Sequence, residues 1–587
     1  MNPMDPLSRV LYIDLEHRRF WIRDRRDLFE KWLGGTGVAI QLLKEELPKD
    51  TDPLSSENVI VFAVGPLTAT YPFGSKTVAM FKSPLTGNLG ESHAGGRSAT
   101  SIRLAGYGAI VIKGASDTPI YLVVDESGAY FRDASALWGI TSTLTVGRIL
   151  REATPGQGYR SIMRIGRAGE KLVRYAAVMT ETYRHFGRLG LGAVFGSKKL
   201  KAIVICGGGS VPIHDKHKYR ELYKEIFELA VKSDLMKKYH DLGTSMNILP
   251  LNAIGALPTR NLTSARFEEA EKISGERIAE EKLGRRLACS NCPIACIHLA
   301  ALKEPYPDEP YFYKTIFISY DYEPIYALGT MLGISDIDGL LKLLDIVEIY
   351  GLDAMSTGVC LAWATEALQN GIVTRRETIV DLKWGDFENY VKAAINIVDQ
   401  PNEFYEALAK GVREASERYG GREFALSFGG NEMPGYHTGY GAHVGFLIGS
   451  RHSHLDCAGY SLDQKLKEPL PPRELVKRLI DEECWRQMLS SLVVCFFARG
   501  IYKPEMVVKT LKTLGYEYDT DGLKDLGKRI YEEKQRLKHE LGFNPETLRP
   551  PKRILETESP YGTLNTEYFD EALKAYREIL NQIILGR

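Results

Sequence analysis

Cysteine is scarce, with eight residues in 587. So thin a scatter excludes the disulfide framework of a small secreted protein and fits a reducing cytoplasm. No apolar run reaches the roughly 18 residues that a membrane-spanning helix needs. The opening stretch MNPMDPLSRVLYIDLEHRRF has no apolar signal core, which argues against export. Excess charge is also missing: 75 basic residues face 75 acidic ones. A chain without a basic surplus is poorly suited to nucleic acid or to an anionic membrane surface. Glutamine numbers only eight, beside abundant Glu, Lys and Arg, a bias found in heat-adapted proteins. The chain shows no internal repeat and no low-complexity tract. What remains, 44% hydrophobic and 26% charged residues, describes a globular protein long enough for three or four domains.

The texture changes along the chain. Residues 1–210 read as mostly strand. NVIVFAVG (58–65), KTVAMFK (76–82), GAIVIKGA (108–115) and LKAIVICGGG (200–209) are β-rich apolar runs, most of them closed by glycine. IYLVVDESGAYFRD (120–133) predicts a hairpin turning at Glu126, Ser127 and Gly128. Glycine collects in SPLTGNLGESHAGGR and FGRLGLGAVFGS, where it brings backbone close to a ligand or simply turns the chain. Beyond GGGSVPIHD the pattern becomes helical. SDIDGLLKLLDIVEIYG predicts a helix with Ser335 as N-cap, Asp336 and Asp338 in its first turn, a buried stripe of Leu340, Leu341, Leu344 and Val347, and Gly351 as its stop. A second helix is expected after Ser356. The intervening link presents Asp353 at a helix start, either to hold a polar ligand or as an ordinary cap.

RRLACSNCPIACIHLA (285–300) holds Cys289, Cys292 and Cys296. Three close cysteines plus one distant one is the spacing of many [4Fe–4S] sites. A structural zinc site completed by His298 and a set of free thiols are the alternatives, although His298 stands too close to Cys296 for usual zinc spacing. The fourth ligand is one of Cys206, Cys360, Cys457, Cys484 or Cys495, and spacing does not choose among them.

FKSPLTG, LAGYGAIVIKG, GRLGLGAVFGSKKLKAI, CSNCPIAC, YEPIYALG, YGLDAMSTG and PKRILE occur in an order and spacing that resembles the tungsten-containing aldehyde:ferredoxin oxidoreductases along nearly the whole chain. The resemblance implies an α+β fold: a β-rich N-terminal base (1–210) with two mostly helical domains (211–415 and 416–587) enclosing a buried cofactor. It implies a tungsten held by two pyranopterins, with molybdenum accepted by the same kind of ligand set, and a [4Fe–4S] cluster nearby. It selects Cys495, in LSSLVVCFFARG, as the cluster ligand beside Cys289, Cys292 and Cys296; thiolates are soft ligands suited to iron–sulfur chemistry.

The same resemblance assigns cofactor contacts to Lys76, His93, Gly95, Arg184, His185, Gly187, Glu348, Gly351, Leu352, Asp353, Ser490 and Val494. Several depart from the family pattern. Lys76 replaces an arginine and loses its bidentate fork. His93 replaces an asparagine that helps hold a magnesium ion bridging the pterin phosphates, so that ion loses an expected ligand. His185 replaces a small residue whose backbone makes the contact. The first pterin loop, EIYGLD, starts with Glu348 in place of an aspartate. The second, SSLVVC, has Ser490 for the aspartate and Val493 and Val494 for glycine and leucine.

Glu323 in YDYEPIYALG and His454 in GSRHSHLD match the family's groups beside the metal. A carboxylate activates water or polarises an aldehyde, and an imidazole shuttles protons near neutral pH. His452 rivals His454, Tyr436 and His437 are candidate substrate-pocket groups, and Arg451 serves a pterin or only the fold. The implied reaction converts aldehyde and water to carboxylate, with single electrons leaving through the cluster to ferredoxin or a polyferredoxin-like small subunit. Carboxylic acid reduction on the same cofactor and a cluster-bearing electron carrier without tungsten are the alternatives. The family's iron-bridged homodimer uses an E-x-x-H pair; Lys342 and Asp345 stand there instead, so no such dimer is expected.

Overall fold

The computed structural model describes residues 5–585 apart from positions 155, 157, 182 and 307, together with the side chain at 310. The N-terminal part is built on two six-stranded sheets. In the first, the strands run in the order 19–24, 9–14, 109–113, 60–63, 77–82 and 89–94. In the second the order is 184–186, 178–180, 159–164, 200–207, 120–125 and 128–133. Most neighbours are antiparallel; strand 9–14 with 109–113, and 120–125 with 200–207, run parallel. The apolar runs read from the sequence are these strands. Ile60–Ala63 is buried throughout, as the continuous apolar run requires of a central strand covered on both faces. Helices also belong to this part, among them Gly35–Glu46, Ser98–Leu104, Thr143–Ala153 and Leu191–Ser197, so it is less purely strand than its texture suggests. The hairpin forms as expected, with Asp125 paired to Gly128 across a two-residue turn.

From Lys216 onward the chain is chiefly helical. Ile337–Tyr350 buries Leu340, Leu341, Leu344 and Val347 and ends at Gly351, whose φ of 78° is the left-handed stop that glycine favours. The cap differs from the expectation. Asp336, not Ser335, caps the helix, its carboxylate accepting from the Gly339 amide at 2.8 Å. The next helix, Ala354–Gln369, begins two residues before Ser356, and Asp353 is its N-cap. Aspartate wins both positions because its carboxylate also answers the helix dipole.

Two large apolar cores result. One lies among the helices of the middle and C-terminal segments. The other joins the first sheet to C-terminal residues including Met488, Leu492, Val493, Leu526 and Ile530. The helices Pro472–Ser491 and Thr520–Glu540 thus pack on the N-terminal base, which carries the second loop, 490–495, to the first sheet. A three-stranded antiparallel sheet, 283–287, 297–306 and 309–320, stands beside them. The cysteine-rich loop is the connection between its first two strands. Among the described residues no helix is long and apolar enough to cross a membrane.

Candidate active site

The cysteines come together from both ends of the chain. Cys292 lies within electrostatic reach of Cys296, Cys289 and Cys495, and Cys296 within reach of Cys495 and Cys289. All are free thiols. Burial pushes the Cys296 thiol up to about 11, partly offset by Arg184 and Lys76. Phe73 fastens the two ends: its amide donates to the Asn291 carbonyl at 3.0 Å and its carbonyl accepts from the Cys495 amide at 3.0 Å. Asn291 and Ala295 take left-handed φ values of 57° and 53°, which folds the loop tightly. A Cβ at Gly95 would stand 2.8 Å from the Cys289 sulfur, so only glycine fits there. Among the described residues no three His, Cys, Asp or Glu side chains converge on a single metal ion. His298 is spent on backbone carbonyls, those of Cys296 at 3.1 Å and His240 at 2.9 Å. The other cysteines sit elsewhere: Cys206 in strand 200–207, Cys360 against the Leu408 carbonyl, Cys457 against Gly445 and Cys484 in helix Pro472–Ser491.

The cationic residues expected at a cofactor gather around this loop. The Lys76 amide donates to the Val493 carbonyl at 3.2 Å, and its ammonium would lie 3.6 Å from a Cβ at Gly95. Arg184 lies 3.8 Å from Asp321; although burial opposes its charge, Cys289, Cys296 and Asp321 hold its pKa up. His93 donates through Nε2 to Glu91 Oε1 at 2.6 Å, and burial keeps it neutral, its pKa pushed down to about 4. Glu91 also pairs with the fully buried Lys534 and accepts from Thr36 at 3.0 Å. His185 and Glu348, both expected at the cofactor, meet each other at 2.7 Å. Gly187 is not crowded; a Cβ there would touch only the His185 Cβ, at 3.8 Å.

In the first loop, Gly351 and Leu352 are fixed by the Val347 carbonyl and Asp353 by that of Tyr175, its amide 3.1 Å away. The Asp353 carboxylate accepts from the Met355 amide and the Ser356 hydroxyl and pairs with Arg188 Nε at 2.8 Å. Arg188 also donates to Asn431 and to the Glu432 carbonyl. Sequence reasoning missed this arginine, although it sits in the quoted FGRLGLG; a lone cation among small apolar residues is a signal, since burial demands a carboxylate for it. In the second loop Ser490 is buried and its carbonyl accepts from the Val493 amide at 3.2 Å, while the Val494 amide donates to Leu489 at 3.0 Å.

Glu323, in the first turn of Tyr322–Leu328, meets His454, the first residue of His454–Cys457, at 3.4 Å between Oε1 and Nε2. Gly435 donates its amide to the other Glu323 oxygen at 3.1 Å. Burial pushes the Glu323 carboxyl up to about 8 and His454 down to about 3. At neutral pH the contact therefore joins two largely uncharged groups. Glu323 Oε1 and His454 Nδ1 are buried without a hydrogen-bond partner. Tyr436 flanks them, 5.2 Å from the His454 ring and stacked at 4.0 Å on Tyr460. The rivals point elsewhere. His452 bonds to Lys538 at 3.0 Å and to the Phe446 carbonyl at 2.9 Å. His437 turns into the core to meet His443 at 2.8 Å, and Arg451 binds Asp456 at 2.6 Å. Lys342 lies exposed over the Phe387 ring, one turn from the half-buried Asp345.

Most of the chain matches known proteins. Residues 10–207 match the family model described as aldehyde ferredoxin oxidoreductase, N-terminal domain, and 221–581 match aldehyde ferredoxin oxidoreductase, domains 2 & 3. The tungsten-containing aldehyde ferredoxin oxidoreductase of Thermococcus kodakarensis is 33% identical over 560 residues, covering 91% of this chain and 89% of that protein. The aliphatic sulfonate oxidoreductase, WOR-like subunit, of Pyrococcus furiosus is 30% identical over 431 residues, covering 70% and 66%. Among solved structures, the active site complex BamBC of benzoyl coenzyme A reductase, with 1,5-dienoyl-CoA, superposes with a TM-score of 0.80 at 21% identity, covering 98% of this chain and 94% of that one. That likeness speaks for the mixed α and β fold. The chain belongs to the aldehyde ferredoxin oxidoreductase family, whose tungsten-containing members are its relatives, and it is an oxidoreductase.

Proposed function

We propose that this enzyme oxidises aldehydes to carboxylic acids on a tungsten–pterin centre and passes the electrons singly through a [4Fe–4S] cluster to ferredoxin or a polyferredoxin-like small subunit. The observation that carries this reading is the Glu323–His454 pair: two buried proton-transfer groups in contact, each with a polar atom left unpartnered. Such orphaned atoms are costly unless a ligand meets them. Cys289, Cys292, Cys296 and Cys495 would hold the cluster. Four free thiols within reach of one another suit a polynuclear centre, and a side chain at Gly95 would crowd the Cys289 sulfur. Lys76 and Arg184 would meet pterin phosphates, with the first loop on one pterin and backbone groups of 490–494 on the other.

The bound metal–pterin group supplies the acceptor for two electrons. The balance is aldehyde + H2O → carboxylic acid + 2 H⁺ + 2 e⁻. Glu323, in its ionised form, takes the proton from the water that adds to the carbonyl carbon. His454 is held neutral by burial and offers a donor nitrogen to the developing oxygen charge or a lone pair for the second proton. Tyr436 and Tyr460 exclude water from the pair. In the reverse direction, reduction of a carboxylic acid, the same Glu323 would be the proton donor, since burial keeps it largely protonated at neutral pH.

Metal analysis and a pH profile test the reading. Purified holoenzyme should contain about one tungsten or molybdenum and about four irons per chain. Oxidation measured as kcat/KM should rise with pH through about 8 as Glu323 loses its proton. Glu323→Gln should retain the metals, lose that limb and fall by roughly 10²–10⁴-fold. Iron without tungsten or molybdenum, or near-normal oxidation by Glu323→Gln, would sink the proposal.

A further inference from the structure

A surface cavity of about 610 Å³ opens behind the helix that begins at His454. That volume suits a small organic ligand rather than a stray water. Its walls carry five cations, Lys465, Arg478, Arg486, Arg499 and Lys524, against two carboxylates, Asp481 and Glu482. Arg486 is the innermost. It is 3% exposed, donates through Nε to Glu482 at 2.8 Å and through Nη1 to the Leu455 carbonyl at 2.9 Å, and lies over the Phe496 ring. Leu455 is the residue after His454, so this guanidinium sits one residue from the imidazole. Nη2 has no protein acceptor among the described residues. Lys465, Arg478 and Arg499 form no ion pair among the described residues either. Glu482 answers part of the Arg486 charge, and Nη2 is left to meet a further acceptor.

The cavity and the reacting pair share a partition. Tyr460 stacks on Tyr436 at 4.0 Å, and both rings stand within 6 Å of the His454 ring, at 5.9 and 5.2 Å. Tyr460 belongs to the short helix Gly459–Asp463, whose Ser461 and Leu462 line the cavity. Its hydroxyl lies within electrostatic reach of Arg486, Arg499 and Glu323.

We propose that this cavity binds the far end of the substrate and that this end is an anion, a carboxylate, sulfonate or phosphate on a short aliphatic chain. Arg478 and Arg499, which have no ion pair among the described residues, grip the anion together with Nη2 of Arg486, and Lys465 attracts it to the mouth. The reactive carbonyl then lies on the Glu323 side of Tyr436 and Tyr460. The inference rests on Glu323 and His454 marking the reacting end.

The test compares two aldehydes of equal chain length, 4-oxobutanoate and butanal, with holoenzyme at low and high salt. The kcat/KM ratio should favour 4-oxobutanoate by roughly tenfold or more, one charge-assisted hydrogen bond being worth about that. The ratio should shrink at high salt and fall towards one in Arg499→Gln and Arg478→Gln. Calorimetry with succinate and butanoate gives a readout free of turnover: succinate should bind more tightly, and the difference should disappear in the same variants. Selective succinate binding, lost in the variants, without any aldehyde turnover keeps the anion site and removes the oxidation reading. Equal ratios in the wild type together with no selective binding overturn the inference, and so does a selectivity that survives both substitutions.

Discussion

Loops 348–353 and 490–495 match in length and differ in how they are held. The first is fixed largely through charged side chains. Glu348 meets His185, Asp353 meets Arg188, and the same aspartate caps the following helix. The second has no charged side chain. Its Ser490 and Ser491 carbonyls abut Gly34, Gly35 and Gly65, and a Cβ at Gly35 would stand 2.1 Å from the Ser490 oxygen. Val493 adopts a φ of 58°, a left-handed conformation costly for a β-branched residue. One loop is therefore sensitive to the loss of charge partners and the other to the loss of space. Backbone contacts, and no carboxylate, hold the second loop.

Four substitutions and two controls break or sharpen this contrast. The largest effect belongs to the end of the second loop: Cys495→Ser should abolish the iron–sulfur absorption and paramagnetic signal, whereas Cys360→Ser should leave both intact. Equal loss in the two variants would contradict the assignment. Next, Asp353→Ala should destabilise the chain by roughly 3–5 kcal/mol in denaturant unfolding, because Arg188 stays buried without its carboxylate. Glu348→Gln should cost less, about 1 kcal/mol, since its pair with His185 is partly solvated. The smallest effect is Val493→Gly. Relief of strain, roughly 1–3 kcal/mol, should nearly cancel the lost burial, roughly 1.5–3 kcal/mol. Val494→Gly gains no such relief and should be the more damaging by about 1–2 kcal/mol. Paired unfolding curves check this, and equal losses would show that Val493 is unstrained.

Much of this could be read from residues in order. Apolar runs gave the strands at 60–63, 77–82 and 200–207, periodicity gave helix 337–350, and spacing picked out Cys289, Cys292 and Cys296. Local chemistry was less legible where two residues compete for one role: Ser335 and Asp336 are both good caps, and the aspartate takes it. Contacts between distant segments were not legible at all. His185–Glu348, Arg188–Asp353 and Lys534–Glu91 link segments far apart in sequence, and no local pattern records which cation a buried carboxylate will meet. The choice of His454 over His452 likewise depends on a tight turn in which His452 takes a φ of 55° and swings toward Lys538.

Phe73 bonds to Asn291 on one side and to Cys495 on the other. During synthesis Cys289, Cys292 and Cys296 leave the ribosome long before Cys495 exists. Phe73, which clamps both sides, belongs to the N-terminal part made first, and the helix that delivers Cys495 belongs to the part made last. A nascent chain therefore carries three thiols without their fourth until its C-terminal part is made and packed. If these four cysteines hold a cluster as proposed, its loading would be a late event, dependent on completion of the chain, and a C-terminal truncation ending before residue 495 should carry no cluster.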